Sequence, residues 1–78
     1  MADDNDDREQ VLRALIGAHG QTVRAVLARS ERSREDVDEL WADVFLVAFR
    51  RVDELSELSE GEQRGWLIRT ASYLAATH

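Results

Sequence analysis

The apolar residues between Val37 and Val52 recur at steps of three and four without interruption, and this spacing constrains the fold more than any other feature of the chain. It places eight apolar side chains on one broad stripe of an α-helix, which must pack against other elements to leave water. The members of the stripe are Val37, Leu40, Trp41, Val44, Phe45, Ala48, Phe49 and Val52. The chain is therefore expected to fold around this helix.

Leu46 is the one large apolar residue that the helical pattern places opposite this stripe. At about 100° per residue, it points away from the stripe. Its neighbours on that outer face are Asp38, Glu39, Ala42, Asp43 and Arg50. Single exposed leucines are common, but an apolar side chain on an otherwise acidic surface also suits a contact with a partner protein. The pattern alone leaves both interpretations open.

The composition limits the class of protein. A chain of 78 residues without cysteine forms at most one small domain, with neither disulfides nor thiolate metal sites. The absence of proline favours helices. The longest apolar run, Val44–Phe49, is too short to cross a membrane, and the acidic amino end does not resemble a targeting segment. We therefore expect a cytoplasmic protein without a membrane partner. The net charge of −6 argues against non-specific binding to duplex DNA.

Three helices are predicted after a short tail. Residues 1–7 contain four aspartates and are expected to form a flexible acidic tail, and residues 8–78 the folded domain. The first helix is expected over 8–28, where Gly17 and Gly20 each weaken it by about 1 kcal/mol and favour a kink or break.

Two serines mark the starts of the other helices. Ser33 with Asp36 resembles a capping box, and the helix that it starts is predicted to reach Leu55. Ser59 with Glu62 repeats the arrangement after a loop over 56–61, and the third helix is expected over 62–77. Three amphipathic helices with short connections predict an all-α fold, a small three-helix bundle.

No pattern in the chain indicates catalysis. His19 and His78 are the only imidazoles, and the serines lie in connections, where capping explains them. His19 lies on an apolar stripe and is expected to be a packed, hydrogen-bonded core residue rather than a metal ligand. We therefore expect no enzyme activity, no catalytic residue, no metal and no cofactor.

The third helix has a second face of interest. Trp66, Thr70, Tyr73 and Thr77 follow one another at spacings of four, three and four, beside the apolar stripe formed by Leu67, Ala71, Leu74 and Ala75. Trp66 could simply cover the core, with Tyr73 at its edge. Alternatively, the face is a small aromatic platform on which an unpaired base stacks, a contact worth about 1–3 kcal/mol per base.

Two stretches of the chain resemble a known family. The stretch "REDVDELWADVFLVAFRRVDEL" is followed, after a loop, by "GWLIRTASYLAATH". Together they resemble region 2 of bacterial sigma-70 family factors of the extracytoplasmic-function type, which read Asp-Leu-x-Gln-Glu-x-Phe and then Trp-Leu-x-x-Ile-Ala-Arg-Asn-Leu. The residues that fit are Leu40, Asp43, Phe45, Phe49, Trp66, Leu67, Ala71 and Leu74, with Glu39 for the first aspartate.

The chain also departs from the family pattern. Ala42 stands where the family has glutamine, Ser72 and Tyr73 replace its Arg-Asn pair, and Thr77 replaces an aspartate. In the family these polar positions lie where the −10 promoter element is opened and read. The second family domain, which reads the −35 element, has no counterpart in these residues.

The resemblance implies two binding surfaces. In the family, the outer face of the second helix docks on the clamp helices of the RNA polymerase β′ subunit. The matching polymerase-binding residues are Glu39, Ala42, Asp43, Leu46 and Arg50. The residues expected to contact −10 single-stranded DNA are Trp66, Arg69, Thr70, Tyr73 and Thr77.

Three functional hypotheses follow. The first is a transcription initiation domain that docks on β′ and engages the −10 element. The second is a module that mimics a sigma domain and binds an anti-sigma factor without reading DNA, which the acidity and the lost polar positions favour. The third is a self-associating helical bundle unrelated to transcription.

Overall fold

Four α-helices account for most of the described chain, which comprises residues 4–30 and 32–78 of a computed structural model. The helices are α1 (Asp4–Ala28), α2 (Arg34–Arg50), α3 (Val52–Ser56) and α4 (Glu60–Thr77). The three long helices pack against one another, and α3 lies against α1 and α2. The predicted all-α bundle is confirmed, with α3 as a short addition. None of the helices in the described ranges is both long and apolar enough to span a bilayer.

Helix α1 begins earlier than the sequence pattern predicts. It starts at Asp4, so residues 4–7 of the predicted flexible tail form its first turn, and residues 1–3 lie outside the described part of the chain. Acidic residues are favourable in the first turn because the helix dipole presents partial positive charge there. The helix also runs through Gly17 and Gly20 as one element, without the expected break.

Gly20 lets α1 and α2 approach closely. The indole Nε1 of Trp41 donates a hydrogen bond of 2.9 Å to the carbonyl oxygen of Gly20. A β-carbon at this position would lie 3.3 Å from Cζ2 of Trp41, which is closer than ordinary van der Waals contact. Gly20 therefore offsets its poor helix propensity with a close contact to Trp41, whereas Gly17 has open space around it.

Replacing Gly17 by alanine is expected to raise the free energy of unfolding by about 0.5–1 kcal/mol, because alanine is the better helix former and meets no neighbour. Gly20→Ala is the matched control, in which the same propensity gain is opposed by crowding against Trp41. Urea unfolding followed by circular dichroism compares the two variants. An equal gain at both positions would contradict the close-approach role of Gly20.

Helix α2 ends before the predicted boundary at Leu55. At Arg51 the backbone leaves helical geometry, with φ −111° and ψ 20°. The carbonyl oxygen of Phe49 accepts a hydrogen bond of 3.1 Å from Nη2 of Arg8, which provides a polar partner at the break. The chain then forms α3, in which Val52 and Leu55 are fully buried. The predicted boundary at Leu55 is therefore wrong, and helical periodicity does not report the contact with α1 that accompanies the break.

Both predicted serine caps are present. Ser33 Oγ accepts from the backbone N–H of Asp36 at 3.1 Å. At α4 the full capping box forms, because Ser59 N also donates to Glu62 Oε1 at 2.9 Å. This backbone hydrogen bond, and then the Ser59 side chain, lower the pKa of Glu62. The ionised carboxylate therefore stabilises the start of α4 at neutral pH, and this contribution is lost as the pH falls through the lowered pKa. Helix α4 begins at Glu60, two residues before the predicted start.

The core lies where the helical stripes meet. Most of the stripe predicted for α2 is buried, together with residues of α1 and α4. The buried members are Leu15, Val23, Leu27, Val37, Leu40, Val44, Phe45, Ala48, Leu55, Leu67 and Ala71. Trp41 and Phe49 of the stripe are only partly buried, so the α2 stripe extends from the core to the protein surface.

Arg32 ties the connection between α1 and α2 to the end of α4. Its Nη2 donates to the carbonyl oxygen of Ala75, and its Nε donates to Ser30 Oγ at 3.0 Å. The carbonyls of the last helical turn have no partner within the helix, so the guanidinium both satisfies one of them and complements the negative end of the helix dipole.

Candidate functional site

The outer face of α2 carries the predicted polymerase-binding residues. Leu46 has 53% of its surface exposed, and Glu39, Ala42 and Arg50 are also exposed, with Asp43 half-buried. No hydrogen bond or ion pair joins these five side chains to other residues in the described ranges. Leu46 is thus exposed beside three charged side chains without such partners, whereas Asp38 on the same face pairs with Arg24 at 2.6 Å.

A groove runs beside Leu46, between α1 and α2. It has a volume of about 570 Å³. Its lining residues are Glu9, Leu12, Arg13, Trp41, Ala42, Phe45, Leu46 and Phe49. Leu46 is therefore not an isolated exposed side chain but one edge of a mainly apolar groove. Because residues of α1 also line this groove, the candidate surface extends from α2 onto α1.

The α2 wall of this groove is a row of aromatic rings at spacings of four residues. The ring centroids of Trp41 and Phe45 lie 4.6 Å apart, with the planes tilted by 49°. At one end of the row the Arg24 guanidinium lies 5.7 Å from the Trp41 ring, and at the other end that of Arg8 lies 5.2 Å from Phe49. Both distances are within the range of cation–π attraction. Two arginines of α1 thus lie over the ends of the row, and its middle ring, Phe45, is buried.

Sequence reasoning did not identify this groove. Helical periodicity places the aromatic residues on the apolar stripe of α2, where they are expected to belong to the core. The width of the α2 stripe is the feature of the sequence that indicates the groove. Phe49 lies at the edge of the stripe, next to Ala42 and Leu46 on the outer face. The small side chain of Ala42 leaves this edge uncovered.

The predicted DNA-binding residues lie on the opposite flank of α2, along α4. Trp66, Arg69, Thr70 and Tyr73 line a shallow depression of about 330 Å³, together with Val47 and Leu74. Tyr73 has 67% of its surface exposed, while Trp66 is partly buried against the core. The two interpretations of Trp66 are therefore compatible, because one side of the ring packs inward while the residue also lines the depression.

Thr77 does not line this depression. Its hydroxyl donates to the carbonyl oxygen of Tyr73 at 3.0 Å, so it is engaged with the backbone of α4. Among the described residues, Arg69 is the only arginine that lines the depression, and its Nη1 lies 3.3 Å from the position that a β-carbon of Gly65 would take. The depression therefore offers aromatic surface but a single positive charge. Binding to a nucleic-acid backbone usually uses several Lys or Arg contacts to phosphates.

The two surfaces meet along α2. Leu46 lines the groove on the α1 side, and the next residue, Val47, lines the depression on the α4 side. The outer face of α2 thus separates the groove from the depression.

His19 is buried and hydrogen-bonded, as its position on the apolar stripe of α1 predicts. It is 4% exposed, and its Nε2 lies 3.4 Å from Oε1 of Gln63. Gln63 also donates from Nε2 to the carbonyl oxygen of Leu55 at 2.9 Å. With this amide orientation, His19 is the donor in the contact. Across residues 4–30 and 32–78, no group of three or more His, Asp or Glu side chains is arranged to hold a metal ion.

No protein-family model matches this chain, and neither the curated proteins nor the solved structures contain a match. The resemblance to sigma region 2 thus stays a prediction from the residues.

Proposed function

We propose that this chain is a sigma-like transcription initiation domain that docks through the outer face of α2 on the clamp helices of the RNA polymerase β′ subunit. The observation that carries the proposal is the exposure of Leu46, at 53%, on a face where Glu39, Asp43 and Arg50 have no ion-pair partner in the described ranges. The proposal implies a binding module rather than an enzyme, and a cytoplasmic location.

The chemistry of the face suits helix-on-helix recognition. Leu46 supplies the apolar anchor, and binding energy at interfaces is concentrated in such central side chains. Glu39 and Asp43 supply negative charge beside it, which would steer a basic partner and fix its register. Arg50 lies at the edge of the face and would pair with an acidic group on the partner.

Engagement of the −10 element as single-stranded DNA is the second part of the proposal. Trp66 and Tyr73 provide aromatic surface on which unpaired bases would stack, and Arg69 provides one positive charge in the same depression. Because the net charge is −6 and one arginine lines the depression, we expect this binding to be weak without polymerase.

A second candidate function is a regulatory module that mimics a sigma domain and binds an anti-sigma factor without reading DNA. Three features favour it. The chain is acidic, Ser72 and Tyr73 replace the Arg-Asn pair of the family, and the Thr77 hydroxyl is hydrogen-bonded to the α4 backbone. Both functions use a protein-binding surface on α2, so they differ in whether the α4 depression binds DNA.

Leu46→Glu is expected to weaken binding to the isolated β′ clamp helices by at least tenfold, because it places a charge where the partner is apolar. Tyr73→Ala is the control, since Tyr73 is more exposed but lies outside the α2 face, and it should bind within twofold of the wild type. Titration calorimetry measures the affinities, and circular dichroism verifies folding. Equal binding by wild type and Leu46→Glu would contradict docking, and a dimer in sedimentation that Leu46→Glu abolishes would favour self-association.

A −10 single strand distinguishes the two candidate functions. Salt-dependent binding that falls on Tyr73→Ala and Trp66→Ala, but not on Leu46→Glu, is the result expected of an initiation domain. Tight binding to an anti-sigma factor with no affinity for the strand is the result expected of the mimic. Fluorescence anisotropy of a labelled oligonucleotide at two salt concentrations provides the measurement.

A further inference from the structure

The outer face of α2 has charges of both signs arranged around the exposed Leu46. Asp43 lies three residues before Leu46, and Arg50 lies four residues after it. At about 100° per residue, both charges lie on the same side of Leu46, turned from it by about 60° and about 40°. Neither forms an ion pair within residues 4–30 and 32–78, where three other arginines do. Both charges are therefore available to a second molecule.

A second copy of the same helix is complementary to this face when the two helices are antiparallel. A two-fold axis beside Leu46 brings the two copies of this leucine together and reverses the direction of the second helix. At a rise of about 1.5 Å per residue, Arg50 lies about 6 Å along the helix from this axis, and Asp43 of the second copy lies about 4.5 Å from it in the same direction. Because the axis keeps both charges on the same side of the leucines, each Arg50 meets an Asp43, twice in one dimer.

The remaining residues of the face fit the same arrangement. On the charged side, Glu39 of the second copy lies one turn beyond Asp43, so a second carboxylate is near each guanidinium. On the other side of the leucines, the small, exposed Ala42 of one copy lies opposite the half-buried Phe49 of the other. A parallel pair of helices would instead place each charge against its own copy, and like charges repel. The charge pattern therefore favours the antiparallel pair.

The charges of α1 do not oppose this contact. Glu9 and Arg13 lie on the α1 side of the face, and they approach each other at 3.9 Å within one chain. Together they add no net charge to the contact. The net charge of −6 on each chain does oppose association at long range, and salt screens this repulsion.

We infer that the chain forms an antiparallel homodimer through the outer face of α2, with Leu46 at the two-fold axis and an Arg50–Asp43 pair at each end of the contact. Stable interfaces bury about 800 Å² per partner, whereas this contact involves about two turns of one helix from each copy. We therefore expect a weak, reversible dimer with a micromolar or higher Kd. The inference goes beyond the proposed function, and only its consequence rests on that function: the dimer covers the docking face, so docking and self-association exclude each other.

Two charge reversals test the pairing. Arg50→Asp places a carboxylate against Asp43 of the second copy, and Asp43→Arg places a guanidinium against Arg50, so each variant alone should dimerise at least tenfold more weakly than the wild type. In an equal mixture, both pairs of the heterodimer have opposite charges, and its affinity should return to within about threefold of the wild type. Arg29→Asp is the control, because it reverses an exposed arginine just after α1, outside the α2 face, and it should dimerise within twofold of the wild type.

Sedimentation equilibrium of the full chain measures these affinities, and circular dichroism verifies that every variant is folded. Recovery of the dimer in the mixture supports the inference, since a variant that had lost its fold would not be rescued by the other. A wild type that stays monomeric at millimolar concentration, an Arg50→Asp variant that dimerises like Arg29→Asp, or a mixture that stays monomeric would overturn it.

The isolated β′ clamp helices separate this inference from the docking proposal. If they bind the chain and dissociate its dimer, both proposals are supported. If they bind a chain that is monomeric at every concentration, docking stands and the dimer is overturned. If the mixture of reversed variants dimerises but the wild type has no affinity for the clamp helices, the dimer stands and docking fails.

Discussion

Replacing Phe45 by alanine is expected to lower the free energy of unfolding by about 3–5 kcal/mol, a large part of the stability of a domain this small. Phe45 is 3% exposed and its ring centroid lies 4.6 Å from that of Trp41. The substitution therefore removes a buried ring, leaves a cavity beside Trp41 and loses a favourable contact between aromatic rings. Urea unfolding followed by circular dichroism measures the loss.

The adjacent residue provides the control for this prediction. Leu46 follows Phe45 in the sequence but is 53% exposed, so Leu46→Ala should change the free energy of unfolding by less than about 0.5 kcal/mol. The comparison uses two large apolar residues of the same helix that differ in burial. Similar losses for the two variants would show that Leu46 packs inside the protein, which would also remove the basis of the proposed docking face.

Replacing Gln63 by alanine is expected to lower the free energy of unfolding by about 2–3 kcal/mol, because one side chain serves two buried partners. Its Nε2 donates to the carbonyl oxygen of Leu55 at 2.9 Å, and its Oε1 faces His19 Nε2 at 3.4 Å. Alanine would leave the buried imidazole without this partner, while the Leu55 carbonyl would lose the amide and keep the backbone N–H of Leu58 at 3.1 Å. Thermal and urea unfolding both report the loss.

An exposed glutamine serves as the reference for this variant. Gln21 lies on the solvent side of α1, so Gln21→Ala removes an amide of the same size without removing a buried partner. We expect its effect to stay within about 0.5 kcal/mol. If Gln63→Ala were no more destabilising than Gln21→Ala, water would be replacing both hydrogen bonds, and the link between α1, α3 and α4 would contribute nothing to stability.

The elements that the sequence predicted well depend on local patterns. The α2 stripe follows from helical periodicity, and the caps at Ser33 and Ser59 follow from hydrogen bonds between residues three positions apart. The outward position of Leu46 follows from the same periodicity. Each of these features is set within one or two helical turns, so a single sequence is sufficient to infer it.

The features that the sequence did not predict depend on contacts between distant residues. The end of α2 is accompanied by a hydrogen bond between Arg8 and the carbonyl of Phe49, which are 41 positions apart. The groove exists only because α1 and α2 are held at a particular separation, and the link from Gln63 to His19 spans 44 positions. Helical periodicity identifies the helix face on which a residue lies, but it does not identify the residue of another helix that packs against it.

The placement of the two tryptophans has a practical consequence. Trp41 lines the groove between α1 and α2, and Trp66 lines the depression on α4, so each indole is adjacent to a different surface. Intrinsic fluorescence can therefore be assigned to one location at a time. A Trp66→Phe variant keeps a tryptophan only beside the groove, and a Trp41→Phe variant keeps a tryptophan only on α4. Quenching or a spectral shift in one variant and not the other then shows where an added molecule is bound, without an attached dye.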